Sequence, residues 1–326
     1  MAGRPKRTSE DLARAATELN NAVKRQVGFS TSMLALASIP FRDPGDVPYF
    51  IRSNDQFSLT VQPGIVRSNG VPQSVGYPFG TIPRLLLTWM CTEAVSTGTP
   101  DLQLGDNLSD FMRKIGLLKE GSRASGGAKG SITRLQSQME RLFRARFSIE
   151  VEGETHRQMG AGIDIAAGFE LFWARGAQAA EGQRSLLPAR VILSPSFFNE
   201  VTRNPVPVDI AALRALSGSA LRLDLYVALT YYMSVIREEF LLSWPDLWLQ
   251  LGSTASDNSA RRAQLKTDVK RQLPAVLEVY PQAKVEVCKD GLRLFPSPPH
   301  VPLEPRLREL AAGPIHLPAM PDLLSR

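Results

Sequence analysis

Cysteine and histidine are scarce in this 326-residue sequence, which holds Cys91 and Cys288, and His156, His300 and His316. Two distant cysteines make neither a disulfide framework nor a zinc site. Cys91 reads as packing in an apolar helix and Cys288 as a strand residue. No His-x-His pair exists, so metal-dependent nicking of DNA has no ligand set. No run approaches the ~18–20 uninterrupted apolar residues that a membrane span needs. The most apolar stretch, 220–236, contains Arg222, Asp224, Thr230 and Ser234 and reads as a buried central helix. Tyr231 and Tyr232 within it are core residues rather than nucleophiles. The start, MAGRPKRTSEDL, lacks the apolar segment of a secretory signal, which predicts a cytosolic protein. A phosphate loop is also missing: Gly121 and Gly126 have its first spacing, but Gly127 stands where the lysine belongs. Gly160 and Gly162 lack the third glycine of a dinucleotide loop. These absences predict a protein that is not an enzyme and needs no cofactor or metal.

What is present is an ordinary globular composition, 43% hydrophobic and 21% charged, with a net charge of +6. Its length suits two domains. The positive charge is concentrated. Residues 122–146 hold Arg123, Lys129, Arg134, Arg141, Arg144 and Arg146 against Glu140 alone, and residues 259–273 hold Arg261, Arg262, Lys266, Lys270 and Arg271 against Asp268 alone. Both windows read as helices, and the rest of the chain is net acidic.

A basic tail, 1–8, reads as disordered and leads to a helix over 9–26, with Ser9 as N-cap. A β-hairpin is predicted over 49–61. Residues 83–97 form an apolar helix, followed by a short strand at 101–104 and a helix capped by Asp106 or Asn107 and ending near Gly116. The Gly/Ser-rich 120–130 predicts a mobile turn, followed by a helix over 131–145 and strands at 147–151, 163–173 and 189–193. The second half repeats the order. Helices at 209–216 and 219–236 precede a short strand at 240–242, a helix at 244–251 and a polar turn over 252–257. A helix over 258–273, stopped by Pro274, leads to strands at 276–280, 283–288 and 292–295. Asp290-Gly291 marks a tight hairpin between the last two. Helix, short strand, helix, turn, basic helix, strands is the winged-helix order, and it occurs twice. The expected fold is therefore α+β, with two tandem winged-helix domains, each a helix-turn-helix followed by a β-hairpin wing. The boundaries are a basic tail and N-terminal helix over 1–45, a first winged-helix domain over 46–204, a second over 205–296, and a loosely attached Pro-rich tail over 297–326.

At ~100° per residue, Ile132, Leu135, Met139, Leu142 and Phe143 share one face of the first basic helix. Thr133, Arg134, Ser137, Arg141 and Arg144 share the opposite one. In the second, Leu265, Val269 and Leu273 form the buried stripe, with Ala260, Ala263, Gln264, Thr267 and Arg271 opposite and Lys270 on the flank. Arg262 and Lys266 lie nearer the stripe, placed for a nucleic-acid backbone. Arginine can grip guanine through two hydrogen bonds, glutamine can do so for adenine, and Ala or Thr methyls suit the thymine methyl. Arg123, Lys129, Ser131 and Thr133 at the start of one helix, and Asn258 and Arg261 at the start of the other, suit phosphates. Candidate base readers are Arg134, Ser137 and Arg141, and Gln264, Thr267 and Arg271.

The string Ser74-Val75-Gly76-Tyr77-Pro78-Phe79-Gly80-Thr81-Ile82-Pro83-Arg84, followed by Leu85-Leu86-Leu87-Thr88-Trp89, resembles the family of plasmid-encoded RepA-type replication initiators. So do Leu108-Ser109-Asp110-Phe111-Met112 with Lys114-Ile115-Gly116-Leu117, Ser194-Pro195-Ser196-Phe197-Phe198-Asn199-Glu200, and Pro205-Val206-Pro207-Val208-Asp209. The likeness covers about 45–295. It implies paired winged-helix domains that bind repeated double-stranded sites at a plasmid origin and help to open the duplex. It also implies exchange between a dimer and a monomeric DNA-bound form, and contact with host replication proteins. No single DNA contact is implied by it. A transcriptional repressor of the same architecture and a protein–protein scaffold with basic faces are the other readings of this sequence.

Overall fold

A computed structural model describes residues 9–22, 25–53, 57–105, 107–118, 121–152, 158–171, 189–203, 205–252 and 258–302. The expected basic tail, the polar turn over 253–257, the end of the strand at 172–173 and the last part of the Pro-rich segment lie outside these residues. In chain order the elements begin with α1 (Ser9–Asn20), β1 (Val27–Thr31), α2 (Ser32–Leu36), β2 (Phe50–Ser53), β3 (Phe57–Gln62), β4 (Ile65–Ser68) and β5 (Val71–Ser74). They continue with α3 (Thr81–Thr97), β6 (Asp101–Gly105), α4 (Leu108–Lys114), α5 (Ser131–Arg144), β7 (Arg146–Glu152), β8 (Gln158–Asp164), β9 (Ala166–Glu170), β10 (Ala189–Leu193) and α6 (Pro195–Arg203). The last group is β11 (Pro205–Asp209), α7 (Ile210–Leu216), α8 (Ala220–Val235), β12 (Phe240–Ser243), α9 (Trp244–Leu251), α10 (Ser259–Val279), β13 (Lys284–Val287) and β14 (Gly291–Phe295).

The fold is α+β, made of mixed helices and small antiparallel sheets. Its arrangement is consistent with a winged-helix-like architecture. α3, β6, α4 and α5 lead to a sheet of order β6-β10-β9, and α8, β12, α9 and α10 lead to one of order β12-β14-β13. In both, the strand ahead of the helix pair is joined by the last strand, which pairs with the strand before it. The first unit carries an addition: β7 and β8 leave its basic helix and pair with the early hairpin as β2-β3-β7-β8.

Local chemistry explains most element ends. α3 stops at Gly98, whose φ of 68° is a left-handed conformation that glycine adopts without strain. Asn107, rather than Asp106, caps α4, accepting from the Ser109 and Asp110 amides. A reciprocal Ser243–Asp246 capping box opens α9.

Several elements depart from expectation. α1 ends at Asn20, and Val27–Thr31 is a strand paired along its length with β11, from Val27 opposite Asp209 to Thr31 opposite Pro205. Pro274 does not stop the last long helix, and the strand expected at 276–280 is its final turn and cap. Pro274 stands on the exposed side, while Val269, Leu273, Val276 and Val279 continue one buried stripe. Burial of those side chains offsets the ~3 kcal/mol that an interior proline costs a helix. Residues 297–302 are also not loose. Ser297 Oγ accepts from the Lys284 amide, the Tyr280 hydroxyl donates to the Pro298 carbonyl, and His300 and Val301 are buried. The hairpin β4–β5 was not anticipated, although its Asn69-Gly70 turn, with φ of 51° and 81°, is a strong hairpin signal.

One continuous core runs from Leu12 in α1 to Leu294 in β14. α1 packs on α7 and α10, and α3 packs on α8. A buried ion pair joins this last contact. Arg84 in α3 donates through Nε and Nη2 to the two carboxylate oxygens of Asp224 in α8, at 2.6 and 2.7 Å. No helix among the described residues is long and apolar enough to cross a membrane.

Candidate nucleic-acid interface

α5 is seated by Leu135, Met139, Leu142 and Phe143, all buried, with Ile132 half-buried on the same side. Buried Gln138 accepts from the Phe79 amide at 2.9 Å, which ties the helix to the Gly76–Gly80 string. From Gly121 onward the Gly/Ser-rich segment folds back on the start of α5. Ser125 and Ser131 exchange backbone-to-hydroxyl hydrogen bonds of 3.0 Å in both directions, and Thr133 Oγ1 donates to the Gly127 carbonyl at 2.7 Å. A side chain at Gly130 would collide with the Ser125 and Gly126 backbone, so this fold-back requires glycine there.

These contacts sort the candidate residues. Ser131 and Thr133 spend their hydroxyls on the loop. Arg141 turns toward the body: its Nη1 meets Asp43 at 2.7 Å and the Tyr77 carbonyl at 3.2 Å, and its guanidinium lies 5.2 Å from the Phe79 ring centroid. Arg144 pairs with Glu140 at 3.5 Å and lies 5.1 Å from the Phe169 ring. Lys129 and Arg134 are exposed and meet no partner among the described residues; Arg123 is exposed, and Ser137 is half-buried. Lys129 and Arg134, the exposed cations of this segment that meet no described partner, therefore lie just before and within the first turn of α5. Arg141→Gln is expected to cost about 1–2 kcal/mol of stability, measured by urea denaturation, and to leave base preference unchanged. A changed preference at one base pair would place Arg141 on DNA instead.

α10 is built differently. Residues 258–264 are exposed on every side, whereas Val269 and Leu273 onward are buried, so the first turns project from the body. Asn258 caps them, accepting from the Arg261 amide at 2.9 Å. On the outward face Thr267 bonds back to the Ala263 carbonyl and Arg271 pairs with Asp268, while Gln264 has no side-chain partner among the described residues. On the flank toward α9 three cations lie over two indoles: Arg262 at 5.8 Å from Trp248, and Lys266 and Lys270 at 4.9 and 5.7 Å from Trp244. Sequence reasoning placed Arg262 and Lys266 near a backbone and Lys270 on the flank of the outward face, but missed the tryptophans. The signal was Trp244 and Trp248 at helical spacing.

Cys91 and the tyrosine pair are packing groups, whereas Cys288 is half-buried with its thiol toward the Gly291 carbonyl. Cys91 is fully buried, which pushes its thiol well above the ordinary range, and burial does the same to Tyr232, stacked on Phe240. Among the described residues no group of three or more His, Cys, Asp or Glu side chains could hold a metal ion.

Over residues 77–246, more than half of its length, the sequence matches the family described as "Plasmid encoded RepA protein". The chain belongs to this family. No curated protein and no solved structure matches it. The RepA match opens at Tyr77 and closes in the first turn of α9, so it contains α5 and stops before α10. Its opening string is a structural junction. Tyr77 is buried with its hydroxyl on the Val47 carbonyl, the Gly80 amide donates to the Pro40 carbonyl, and Arg84 makes the buried pair with Asp224. Membership of the RepA family indicates a role in plasmid replication that involves DNA.

Proposed function

We propose that this chain is a plasmid replication initiator that binds repeated double-stranded sites at its origin through two winged-helix domains and promotes opening of the duplex. One observation carries the reading: a basic helix, α5 or α10, closes each of two helix–strand–helix–helix units, with matching sheet orders, in a RepA-family chain. The two helices enter successive major grooves about one turn, roughly 10 bp, apart on one face of the duplex. Arg134 in α5 and Gln264 in α10 are the best-placed readers, since each is outward and has no side-chain partner among the described residues. Ser137, Thr267 and Arg271 are secondary, and Arg123, Lys129, Arg261 and Arg262 serve phosphates. The protein exchanges between a dimer and a DNA-bound monomer, recruits host replication proteins and acts in the bacterial cytoplasm.

DNase footprinting of the DNA flanking its gene tests this directly. Regularly spaced protected repeats, each about two turns long, are expected. A single protected palindrome at the promoter would instead make the protein a repressor, and the absence of protection at low salt would sink the DNA-binding reading. Gln264→Ala and Arg134→Ala should each cost about 1–3 kcal/mol on the specific site and relax one base position. Equal weakening on all sequences would reassign that residue to phosphate.

A further inference from the structure

A cleft between α9 and α10 brings cations onto indole rings. It is an open cleft of about 190 Å3 lined by Trp244, Pro245, Trp248, Arg262, Ala263, Leu265 and Lys266, with no carboxylate among them. The turn between β13 and β14 fixes its edge. The Trp244 indole N–H and the Lys266 ammonium both donate to the Lys289 carbonyl, at 2.9 and 3.3 Å. Among the described residues neither Lys266 nor Lys270 forms an ion pair. Asp246 in α9 is held by the Ser243 cap and Asp268 in α10 by Arg271.

An ammonium on an indole face is held in place without losing its charge, and its outward N–H donors stay available. A carboxylate would have fixed the same lysines while cancelling them. We propose that this cleft is a phosphate clamp for the backbone of duplex DNA, with Lys266 from its lining and Lys270 from beside it as donors, both on the Trp244 ring that forms its floor. The placement argues for backbone rather than bases. These cations lie on the α9 flank of α10, off the face that carries Ala260, Gln264 and Thr267, and a helix lying in a major groove has a phosphate strand along its flank. Charge complementarity selects the occupant, and about 190 Å3 is ample for a phosphate group with the edge of its sugar on the indole. The proposal rests on the duplex-binding reading.

The test uses the full chain, a duplex bearing its footprinted site and an unrelated duplex of equal length, over a salt series. Lys266→Gln and Lys270→Gln should each weaken both duplexes equally and lower the slope of log K against log salt by about 1, with unchanged preference between the two. Trp244→Leu should lower affinity for both, and Trp244→Phe should restore most of it, since a phenyl ring also holds an ammonium. Matching urea midpoints of the lysine variants and wild type exclude a folding defect. An unchanged salt slope in the lysine variants, with wild type binding normally, overturns the clamp alone. So does a changed base preference, or a Trp244-dependent preference for single-stranded DNA, which would make the cleft a stacking site for a base. Failure of wild type to bind either duplex at low salt overturns the duplex reading itself.

Discussion

Asp224→Ala is expected to lower stability by about 3–5 kcal/mol, seen as a fall in the urea midpoint of the full chain. Asp224 accepts two hydrogen bonds from Arg84, and the remaining Arg84 donors reach the Ile39, Pro40 and Gly80 carbonyls at 2.7, 3.2 and 2.7 Å. Burial pushes the Asp224 carboxyl up, against the pull of Arg84 and then Arg52. Arg52 is itself 2% exposed, its Nε and Nη1 have no hydrogen-bond partner among the described residues, and its guanidinium lies 4.4 Å from the Phe50 ring. Burial first, and Arg84 second, lower its pKa to about 9. One carboxylate thus serves two buried guanidiniums. Removing it leaves two like charges in a medium that screens them poorly, at the seam between β2, α3 and α8. The double variant Asp224→Ala/Arg84→Met should lose less than the sum of the single losses, because it removes the orphaned charge along with its partner. A loss below ~1 kcal/mol for Asp224→Ala alone would mean that water reaches this junction.

Acidification from pH 6.5 toward 3 is expected to remove a few kcal/mol of stability through one side chain, His300. Its Nε2 lies 2.6 Å from Arg25 Nη1 and its Nδ1 lies 2.7 Å from the Tyr226 hydroxyl. A guanidinium can only donate, so Nε2 accepts and the proton sits on Nδ1. The Tyr226 oxygen also accepts from the Asp209 amide at 2.9 Å, and Tyr280 stacks on the imidazole at 4.5 Å. Burial first, and then the Arg25 charge, lower the His300 pKa to about 3. The unfolded chain therefore takes up a proton near pH 6.5 that the folded chain refuses until about pH 3. Stability is full above 6.5 and declines as the pH falls between those values. His300→Gln, which cannot titrate, should be less stable at neutral pH yet show a flatter profile from 6.5 to 4. Parallel profiles for the two proteins would refute this role. Because Arg25 also pairs with Asp209 at 3.1 Å, the histidine ties residues near the C-terminal end to β11 and to the N-terminal segment that β1 extends.

Residue order alone determined much of this protein. The 3.6-residue stripes of α5 and α10 identified both basic helices and most of their buried sides, because periodic burial is a local property of a helix. The absence of metal and phosphate-loop motifs, the turn at Asp290-Gly291 and the likeness to RepA initiators also lay in short stretches of sequence. Pairings between distant residues did not. That β1 lies beside β11, that Pro274 rides on an exposed face while the helix continues, and that His300 closes a network with Arg25 depend on which surfaces meet, and no local pattern encodes that. The same holds for the charges. Arg134, Arg141 and Arg144 look equivalent by helical phase, yet Arg141 meets Asp43 and Phe79, Arg144 lies by Phe169, and Arg134 is left facing solvent. A side chain's phase sets the direction in which it leaves its helix, and the tertiary structure decides whether another segment is waiting there.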